Sequence, residues 1–450
     1  MRARQRGLAL RPLRVPAHQT HVLANGLTVH LVPRGPLPLV AVRLVIRAGS
    51  VFDPQGRLGV ADFAARLARR GAADLSADQI NDAVEYVGAS IGGFANEENV
   101  VLSLSTPSAH LQAMLEVFAK VALAPEFPEG EVELARRRHL ASLANDLDDP
   151  GSLADRALGR AVWGSHPYAH EAVAGKADLE HLTRDDLLRV HQERLGPRIA
   201  HLYLAGAFEP REVLRWVQGA FGGWSGGPDA PPLMPAWEGL LHPGEVVQVD
   251  KPEQTQVQLR LGAVGVPRGH PDHFPLTVVN TVLGGGFTSR LMTEIRVKRG
   301  LSYGAGCGFE MMSAAGAFSL SSFTKTLRVP ELLKVALGQV ELMRQKGPSA
   351  AELASVQRYI CGLYPGRLET NEAIAGALAD VVHYGLDPEW IGSYRERIAA
   401  VTVAEAARAA REHLFEKDRR VVVLVGNAEA LSGAVARFGP ARVLKPSDLE

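Results

Sequence analysis

The feature that most constrains the fold of this 450-residue chain is a segment that occurs twice. The two copies read LTRDDLLRVHQERLGPRIAHLYLAGAF and VTVAEAARAAREHLFEKDRRVVVLVGNA. In each copy a threonine that can cap a helix, Thr183 or Thr402, precedes an amphipathic stretch, a short break, an apolar strand and a glycine, Gly206 or Gly426. A unit that returns after roughly 220 residues predicts a duplicated domain.

A Gly/Pro-rich stretch, FGGWSGGPDAPPLMP, lies between the two copies, and its composition is typical of a linker. We therefore predict an N-terminal domain over 21–222, a linker over 223–244 and a C-terminal domain over 245–450. The first sixteen residues hold five arginines and no acidic residue, which predicts a disordered start over 1–20. Its longest apolar stretch, LAL, is too short for a secretory signal, so the expected location is cytoplasmic, with a periplasmic one left open.

Composition excludes several classes of protein. Lys+Arg and Asp+Glu both number 49, so the chain lacks the excess positive charge with which proteins bind nucleic acid or anionic membranes. No run approaches the roughly 18 apolar residues of a membrane span. The two cysteines, Cys307 and Cys361, are too few for a thiolate metal site and are expected to be core residues in a reducing compartment.

The order of the predicted elements indicates an α+β fold. NGLTVHLVP, VAVRLVIRAG and NVVLSLST alternate or run apolar as strands do. A helix is predicted over Leu58–Arg70, and a second begins at Ser76, where Gln79 completes a capping box, and ends at Gly88. Strands and helices mix without strict βαβ alternation. The sequence thus predicts two tandem, structurally similar domains, each a mostly antiparallel sheet with helices packed against one face.

Several motifs together resemble one known family. They are VRLVIRAGSVFDP, the helix after Gly59, DDP at 148–150, HPY at 166–168, and LGGGFTSRLMTEIRVKRGLSY from Leu283. In this order, from about Asn25 to Gly426, they resemble the pitrilysin/insulinase family of zinc metallopeptidases. The resemblance implies the duplicated fold and a protomer that pairs with a second one to enclose a chamber.

In active members of that family the first helix carries H-x-x-E-H. Histidines at i and i+4 lie on one helix face and bind one zinc, and the glutamate is the general base. The resemblance places these positions at Asp62, Ala65 and Arg66, and the further glutamate ligand at Ser142. None is a suitable residue, so we predict a degenerate zinc site and no metal in this chain. Asp62 and Arg66 have instead the spacing of an ion pair worth roughly 0.2–0.5 kcal/mol.

Two other histidine motifs have some features of a metal site. HPYAH places His166 and His170 four residues apart, but Pro167 disfavours a helix interior between them. HPDH, from His270 to His273, is typical of a turn. We expect both motifs to be surface-loop histidines.

The C-terminal half contains family residues that are retained, in contrast to the zinc-ligand positions of the first half. The resemblance implies that an arginine and a tyrosine seven residues apart contact the substrate, and RVKRGLSY supplies Arg296 and Tyr303. A guanidinium can bind a peptide carbonyl, and a phenol can donate to an oxygen that gains charge. The preceding Gly284, Gly285 and Gly286 lack the Lys-Ser/Thr of a phosphate loop, and we expect a tight turn in which backbone segments approach closely. The resemblance implies that this turn lies near the substrate and contacts an extended peptide.

The resemblance therefore implies a non-catalytic subunit of a heterodimeric zinc peptidase. Zinc is expected in a partner subunit that carries H-x-x-E-H, and short unfolded peptides are the expected substrates. Two alternatives stay open. One is a structural or peptide-binding scaffold with no role in catalysis. The other is an independently active zinc peptidase, which the absence of H-x-x-E-H and of its reverse disfavours.

Overall fold

The computed structural model describes residues 13, 15–170, 172–237, 239, 243–415 and 419–450. Most of the predicted Arg-rich start, 1–12 and 14, lies outside the described residues, and the first strand begins at Gln19. Of the predicted linker, residues 223–237 form neither helix nor strand. No described helix is both long enough and apolar enough to span a bilayer.

The N-terminal half contains eight strands and eight α-helices in its described residues. The strands are β1 (Gln19–Val22), β2 (Thr28–Pro33), β3 (Leu39–Ile46), β4 (Gly71–Ala72), β5 (Leu75–Ser76), β6 (Ser90–Ala95), β7 (Val100–Pro107) and β8 (Ala200–Gly206). The helices are α1 (Val60–Leu67), α2 (Ala77–Tyr86), α3 (Leu111–Leu123), α4 (Glu129–Asp148), α5 (Pro150–Trp163), α6 (Lys176–His181), α7 (Arg184–Arg194) and α8 (Pro210–Phe221).

The C-terminal half contains six strands and seven α-helices in its described part. The strands are β9 (Val246–Asp250), β10 (Gln256–Val264), β11 (Ala305–Met311), β12 (Gly316–Lys325), β13 (Val421–Gly426) and β14 (Ala441–Leu444). The helices are α9 (His273–Leu283), α10 (Val329–Lys346), α11 (Ala350–Leu363), α12 (Asn371–His383), α13 (Trp390–Ala400), α14 (Val403–His413) and α15 (Ala428–Val435). A π-helical turn covers Met292–Val297.

The two large sheets have matching topology over five of their six strands. The outer strand differs, since β1 pairs antiparallel with β2 and β14 pairs parallel with β9. Their orders are β1-β2-β8-β3-β7-β6 and β14-β9-β13-β10-β12-β11. In each sheet one long strand, β3 or β10, pairs antiparallel with both neighbours. The repeated segments predicted from sequence occupy equivalent places, since Thr183 and Thr402 both form capping boxes and β8 and β13 end at Gly206 and Gly426. The predicted fold of two tandem, similar α+β domains is confirmed.

The prediction that helices cover only one face of each sheet is wrong. One face of the N-terminal sheet packs on α3 and the other on α12, which belongs to the C-terminal half. One face of the C-terminal sheet packs on α9 and α10, and the other on α5 from the N-terminal half. Strand β13, VVVLVG, is buried at all six residues because helices lie on both sides of it.

The halves thus exchange equivalent helices. Leu153 of α5 shares a buried cluster with Val423 of β13, and Ile374 of α12 shares one with Tyr203 of β8. An ion pair adds to the first contact, because Asp155 Oδ1 of α5 lies 2.5 Å from Arg260 Nε of β10. This exchange fixes how the two halves face each other and therefore how their candidate sites are placed.

Candidate functional site

Helix α1 carries the positions that the resemblance assigns to zinc, and it is almost wholly buried. Asp62 has no solvent exposure; its Oδ1 accepts a hydrogen bond from the Ala95 amide at 2.9 Å, and its Oδ2 lies 2.5 Å from Arg66 Nε. The ion pair predicted from the i, i+4 spacing is present. Ala65 is buried where α1 meets β6, and a Cβ on Gly93 would come within 2.3 Å of the Ala65 carbonyl oxygen.

A cavity of about 520 Å³ lies between α1 and α4 and brings two of the assigned positions together. Arg66 and Ser142 both line it, as does His139 of α4. Burial lowers the pKa of His139, against the attraction of Asp62. The cavity is rich in guanidinium groups, whose residues are Arg66, Arg70, Arg138 and Arg156.

These residues do not fit a zinc ion. Both carboxylate oxygens of Asp62 are already hydrogen-bonded, and the Arg66 guanidinium occupies the side of the helix where a second ligand would be. Ala65 has no group that can act as a base, and the hydroxyl of Ser142 is a weak ligand compared with the nitrogen, thiolate and carboxylate donors that zinc prefers. The four arginines that line the cavity outnumber its two carboxylates, Glu131 and Asp146, so a divalent cation would also face net repulsion.

Arg296 and Tyr303 lie on the surface of the C-terminal half, one in the π-helical turn and the other just before β11. The Arg296 guanidinium carbon lies 5.2 Å from the centre of the Phe287 ring, in a cation–π contact. The Tyr303 side chain is 81% exposed, and its hydroxyl forms no hydrogen bond with any described residue. Neither side chain is tied to a carboxylate, so both are free to bind a ligand.

The three-glycine turn packs against the first residues of β11 and the end of α9. A Cβ on Gly284 would lie 2.7 Å from the Cys307 amide nitrogen, and one on Gly285 would lie 2.8 Å from the Thr281 Cα. A Cβ on Gly286 would have only the Tyr359 ring nearby, at 4.0 Å. The first two glycines are therefore required by close packing, and the third leaves an open surface.

A bidentate ion pair anchors this loop to α11. Arg290 Nε and Nη2 lie 2.7 and 2.8 Å from the two carboxylate oxygens of Glu352. The hydrogen bonds from Arg290 lower the pKa of Glu352 to about 2, against the effect of burial. The loop that presents Arg296 is thus held in place at neutral pH.

Large apolar side chains stand exposed around this loop. We call this surface the loop patch; its residues are Phe287, Arg296, Val297, Tyr303 and Tyr359. Phe287 and Val297 are 77% and 73% exposed. Phe287 is also in contact with the Arg296 guanidinium, and exposed apolar groups beside polar ones are typical of binding sites for proteins or peptides. Phe287 was not singled out from sequence, although an aromatic residue directly after three glycines is a signal that could have been used.

Within the described part of the chain, the two candidate sites are separate. The cavity between α1 and α4 is lined only by residues between Phe63 and Val173, and neither Arg296 nor Tyr303 contributes to it. The sites do share a structural environment. α1 packs on the edge strand β6, and the segment with Arg296 and Tyr303 directly precedes the equivalent edge strand β11. Both edges carry backbone groups that can pair with an extended peptide.

The structure changes the interpretation of both histidine motifs. Pro167 lies in a short 3₁₀ turn, so His166 and His170 are not on one helix face. His166 is buried and not a surface residue; one ring nitrogen contacts the Pro235 carbonyl at 3.0 Å and the other accepts from the Tyr168 amide. His273 is buried as well, as the first residue of α9.

One group of described residues has the ligand types and proximity of a metal site, namely His270, Asp272 and His413. Its carboxylate is already bound, since Asp272 Oδ2 lies 2.8 Å from His413 Nε2 and both Asp272 oxygens accept from Arg408. The hydrogen bond from Arg408 also lowers the pKa of Asp272. This group ties α9 to α14, and nothing in it indicates a bound cation.

Two sequence models of one peptidase family match the chain. The model described as "Insulinase (Peptidase family M16)" matches residues 31–173, and the model described as "Peptidase M16 inactive domain" matches residues 181–360. An uncharacterized zinc protease of Streptomyces coelicolor is 23% identical over 83% of this chain and 82% of its own length. One from Mycobacterium bovis is 25% identical over 85% of this chain and 87% of its own.

Two solved structures share the fold. A peptidase M16 inactive domain from Pseudomonas fluorescens superposes with a TM-score of 0.84 at 27% identity, covering 91% of this chain and 98% of that one. A protease from Helicobacter pylori superposes with the same TM-score at 20% identity, covering 91% of this chain and all of that one.

Proposed function

Because the chain belongs to peptidase family M16, the insulinase family, and matches the family's inactive-domain model in its second part, we propose that it is a non-catalytic subunit of a heterodimeric zinc peptidase. The observation that carries the proposal is a contrast between two sites. At the zinc-ligand positions, Asp62 and Arg66 are locked in an ion pair. On the other half, Arg296 and Tyr303 are exposed and unpaired with any described carboxylate.

In this proposal the chain supplies binding groups, and a family subunit with H-x-x-E-H supplies the zinc ligands and the general base. Peptide hydrolysis takes place in the chamber that the two subunits enclose. Arg296 binds a carbonyl of an extended peptide, and the Tyr303 hydroxyl donates to the oxygen that gains charge as the peptide bond is attacked. An exposed phenol and guanidinium suit this role because they keep their donors unused until the substrate arrives.

The loop patch supports the same proposal from its surface chemistry. Phe287 and Val297 offer apolar contacts, and edge strand β11 offers backbone donors and acceptors to a peptide in extended conformation. A scaffold that only binds peptide would use these groups too. The two functions differ in whether Arg296 and Tyr303 affect the rate of hydrolysis.

The experiment is a reconstitution with the family subunit from the same genome that carries H-x-x-E-H. Peptide hydrolysis and zinc content are measured for each chain alone and for the mixture. We expect activity only in the mixture and zinc only on the partner. Zinc bound stoichiometrically to this chain, or activity of this chain alone, would overturn the proposal.

Variants then separate the catalytic complement from the scaffold. Arg296→Ala and Tyr303→Phe are each expected to lower kcat of the mixture by on the order of 10²-fold, the usual effect of removing one oxyanion donor. Matched controls are Arg211→Ala and Tyr86→Phe, both at exposed positions on the N-terminal half. Unchanged hydrolysis with both site variants would favour the scaffold.

A further inference from the structure

The C-terminal half contains a second cavity, of about 670 Å³, that is distinct from both candidate sites above. It lies among α9, β11, α12 and α13. Pockets of this size hold small organic ligands with room for a side chain and two charged groups. Its chemistry differs from that of the loop patch and of the cavity between α1 and α4.

Aromatic rings form much of the wall. Tyr364 and Tyr394 stack with their ring centres 4.3 Å apart, and Trp390, Tyr384 and Phe309 complete the enclosure. The Tyr364 hydroxyl donates to the Ile391 carbonyl, which leaves the ring faces to line the cavity. Such a wall favours an aromatic or large apolar group.

Two guanidinium groups face this cavity without a carboxylate partner. Arg268 lies 5.7 Å from the ring centres of both Tyr384 and Trp390, and Arg367 is exposed. Among the described residues, no carboxylate oxygen comes within 4.0 Å of either one. The ring of His273 is the neighbour of Arg268, and burial lowers the pKa of His273 to about 3, so that it stays neutral.

A carboxylate, that of Asp380, also faces the same cavity. It forms no direct hydrogen bond or ion pair with a described residue, although Arg268 and Arg43 attract it from a longer distance and burial raises its pKa. Arg268 and Asp380 attract each other but form no direct ion pair, so each side chain keeps hydrogen-bonding capacity for a ligand group of opposite charge. A ligand that carries both charges satisfies both side chains at once.

We propose that this cavity binds a small zwitterion, a free α-amino acid with an aromatic or large apolar side chain or a dipeptide of such residues. The carboxylate of the ligand binds Arg268 and Arg367, its ammonium group binds Asp380, and its side chain packs among the rings. The proposal does not depend on the peptidase function, since it rests on a different cavity.

The test is titration calorimetry of the full chain with L-phenylalanine and with the dipeptide Phe-Phe. Two capped analogues each remove one charge, N-acetyl-phenylalanine the ammonium and phenylalaninamide the carboxylate. We expect saturable binding of at least one zwitterion, and a loss of at least tenfold in affinity with either cap. Tighter binding of L-phenylalanine would identify a free amino acid as the ligand, and tighter binding of Phe-Phe would identify a dipeptide. No saturable binding of either, or equal affinity for a capped analogue, would overturn the proposal.

Variants locate the binding in this cavity. Asp380→Asn and Arg367→Gln remove groups that form no described hydrogen bond or ion pair. Asp380→Asn also removes an attraction to Arg43, so circular dichroism and the melting temperature verify that both variants are folded. Each is expected to weaken binding at least tenfold. The matched controls Asp82→Asn and Arg211→Gln, exposed on the N-terminal half, should leave the affinity unchanged. Zwitterion binding that survives both cavity variants would contradict the assignment.

Discussion

Asp62 is an acidic residue without contact to solvent, and its two hydrogen bonds offset the cost of removing its side chain from water. The Ala95 amide and the Arg66 guanidinium satisfy the two carboxylate oxygens. The ion pair alone would be weak, because the Arg66 side chain is about half exposed. The hydrogen bond to Ala95 matters more, since it joins α1 to edge strand β6 and its loss would leave a buried amide without an acceptor.

We predict that Asp62→Ala lowers the free energy of unfolding by about 1–3 kcal/mol, the usual penalty for a buried unsatisfied group. The matched control is Asp78→Ala, which removes a first-turn aspartate from the exposed start of α2 and should cost less than about 1 kcal/mol. Urea unfolding followed by circular dichroism measures both. Equal effects of the two substitutions would contradict the structural role given to Asp62.

Sequence spacing could predict contacts within one element but not those between distant ones. Asp62 and Arg66 are four residues apart on a helix, so their ion pair followed from geometry alone. Ala95 is 33 residues from Asp62, and nothing local indicates that its amide faces the carboxylate. The same holds for Asp380 and Arg268, which come from two different elements and share a cavity only in the folded chain.

At the scale of whole elements, the sequence signals were strongest for where helices begin and weakest for what they pack against. The capping box predicted at Ser76 is present, and the threonine caps predicted at Thr183 and Thr402 are present as capping boxes too. The apolar face of α5 likewise indicates burial, but an amphipathic pattern does not identify the sheet that covers it. The exchange of α5 and α12 between halves therefore required the structure.

Because α5 packs on the sheet of the other half, we predict that truncating a buried side chain of α5 destabilises both halves together. Leu153 is completely buried against the C-terminal sheet, so Leu153→Ala should cost about 2–5 kcal/mol. Calorimetry should still show one transition, at a lower temperature, because each sheet depends on a helix from the other half. Leu327→Ala, at a side chain 93% exposed, is the matched control and should change little. Two separate transitions, with only one displaced, would contradict the coupling.

At the scale of the whole molecule, a buried polar cluster joins the two halves at Glu98. One Glu98 oxygen accepts from the Tyr168 hydroxyl at 2.6 Å and from the Ser313 amide at 3.0 Å; the other lies 2.8 Å from His383 Nε2. Burial by itself would raise the pKa of Glu98, but the hydrogen bonds from His383 and Tyr168 outweigh it, and the pKa is lowered. The interface between the halves is therefore more stable when Glu98 is an ionised carboxylate than when it is protonated.

The lowered pKa sets the pH dependence that this cluster contributes. In the unfolded chain Glu98 takes up its proton near the usual value of 4.5, while the folded protein binds it only at lower pH. The stabilisation is therefore complete above pH 4.5 and is lost as the pH falls from 4.5 through the folded pKa. Glu98→Gln should cost about 1–3 kcal/mol at pH 7, because the amide cannot accept all of these donors.

The difference between wild type and Glu98→Gln should narrow as the pH falls below 4.5, which urea unfolding at pH 7, 5 and 4 would measure. Glu97→Gln is the matched control, because its neighbouring carboxylate forms no hydrogen bond or ion pair with a described residue. That variant should follow the wild type at every pH. A Glu98→Gln protein as stable as the wild type at pH 7, or a difference that does not change with pH, would show that the charge of Glu98 does not hold the halves together.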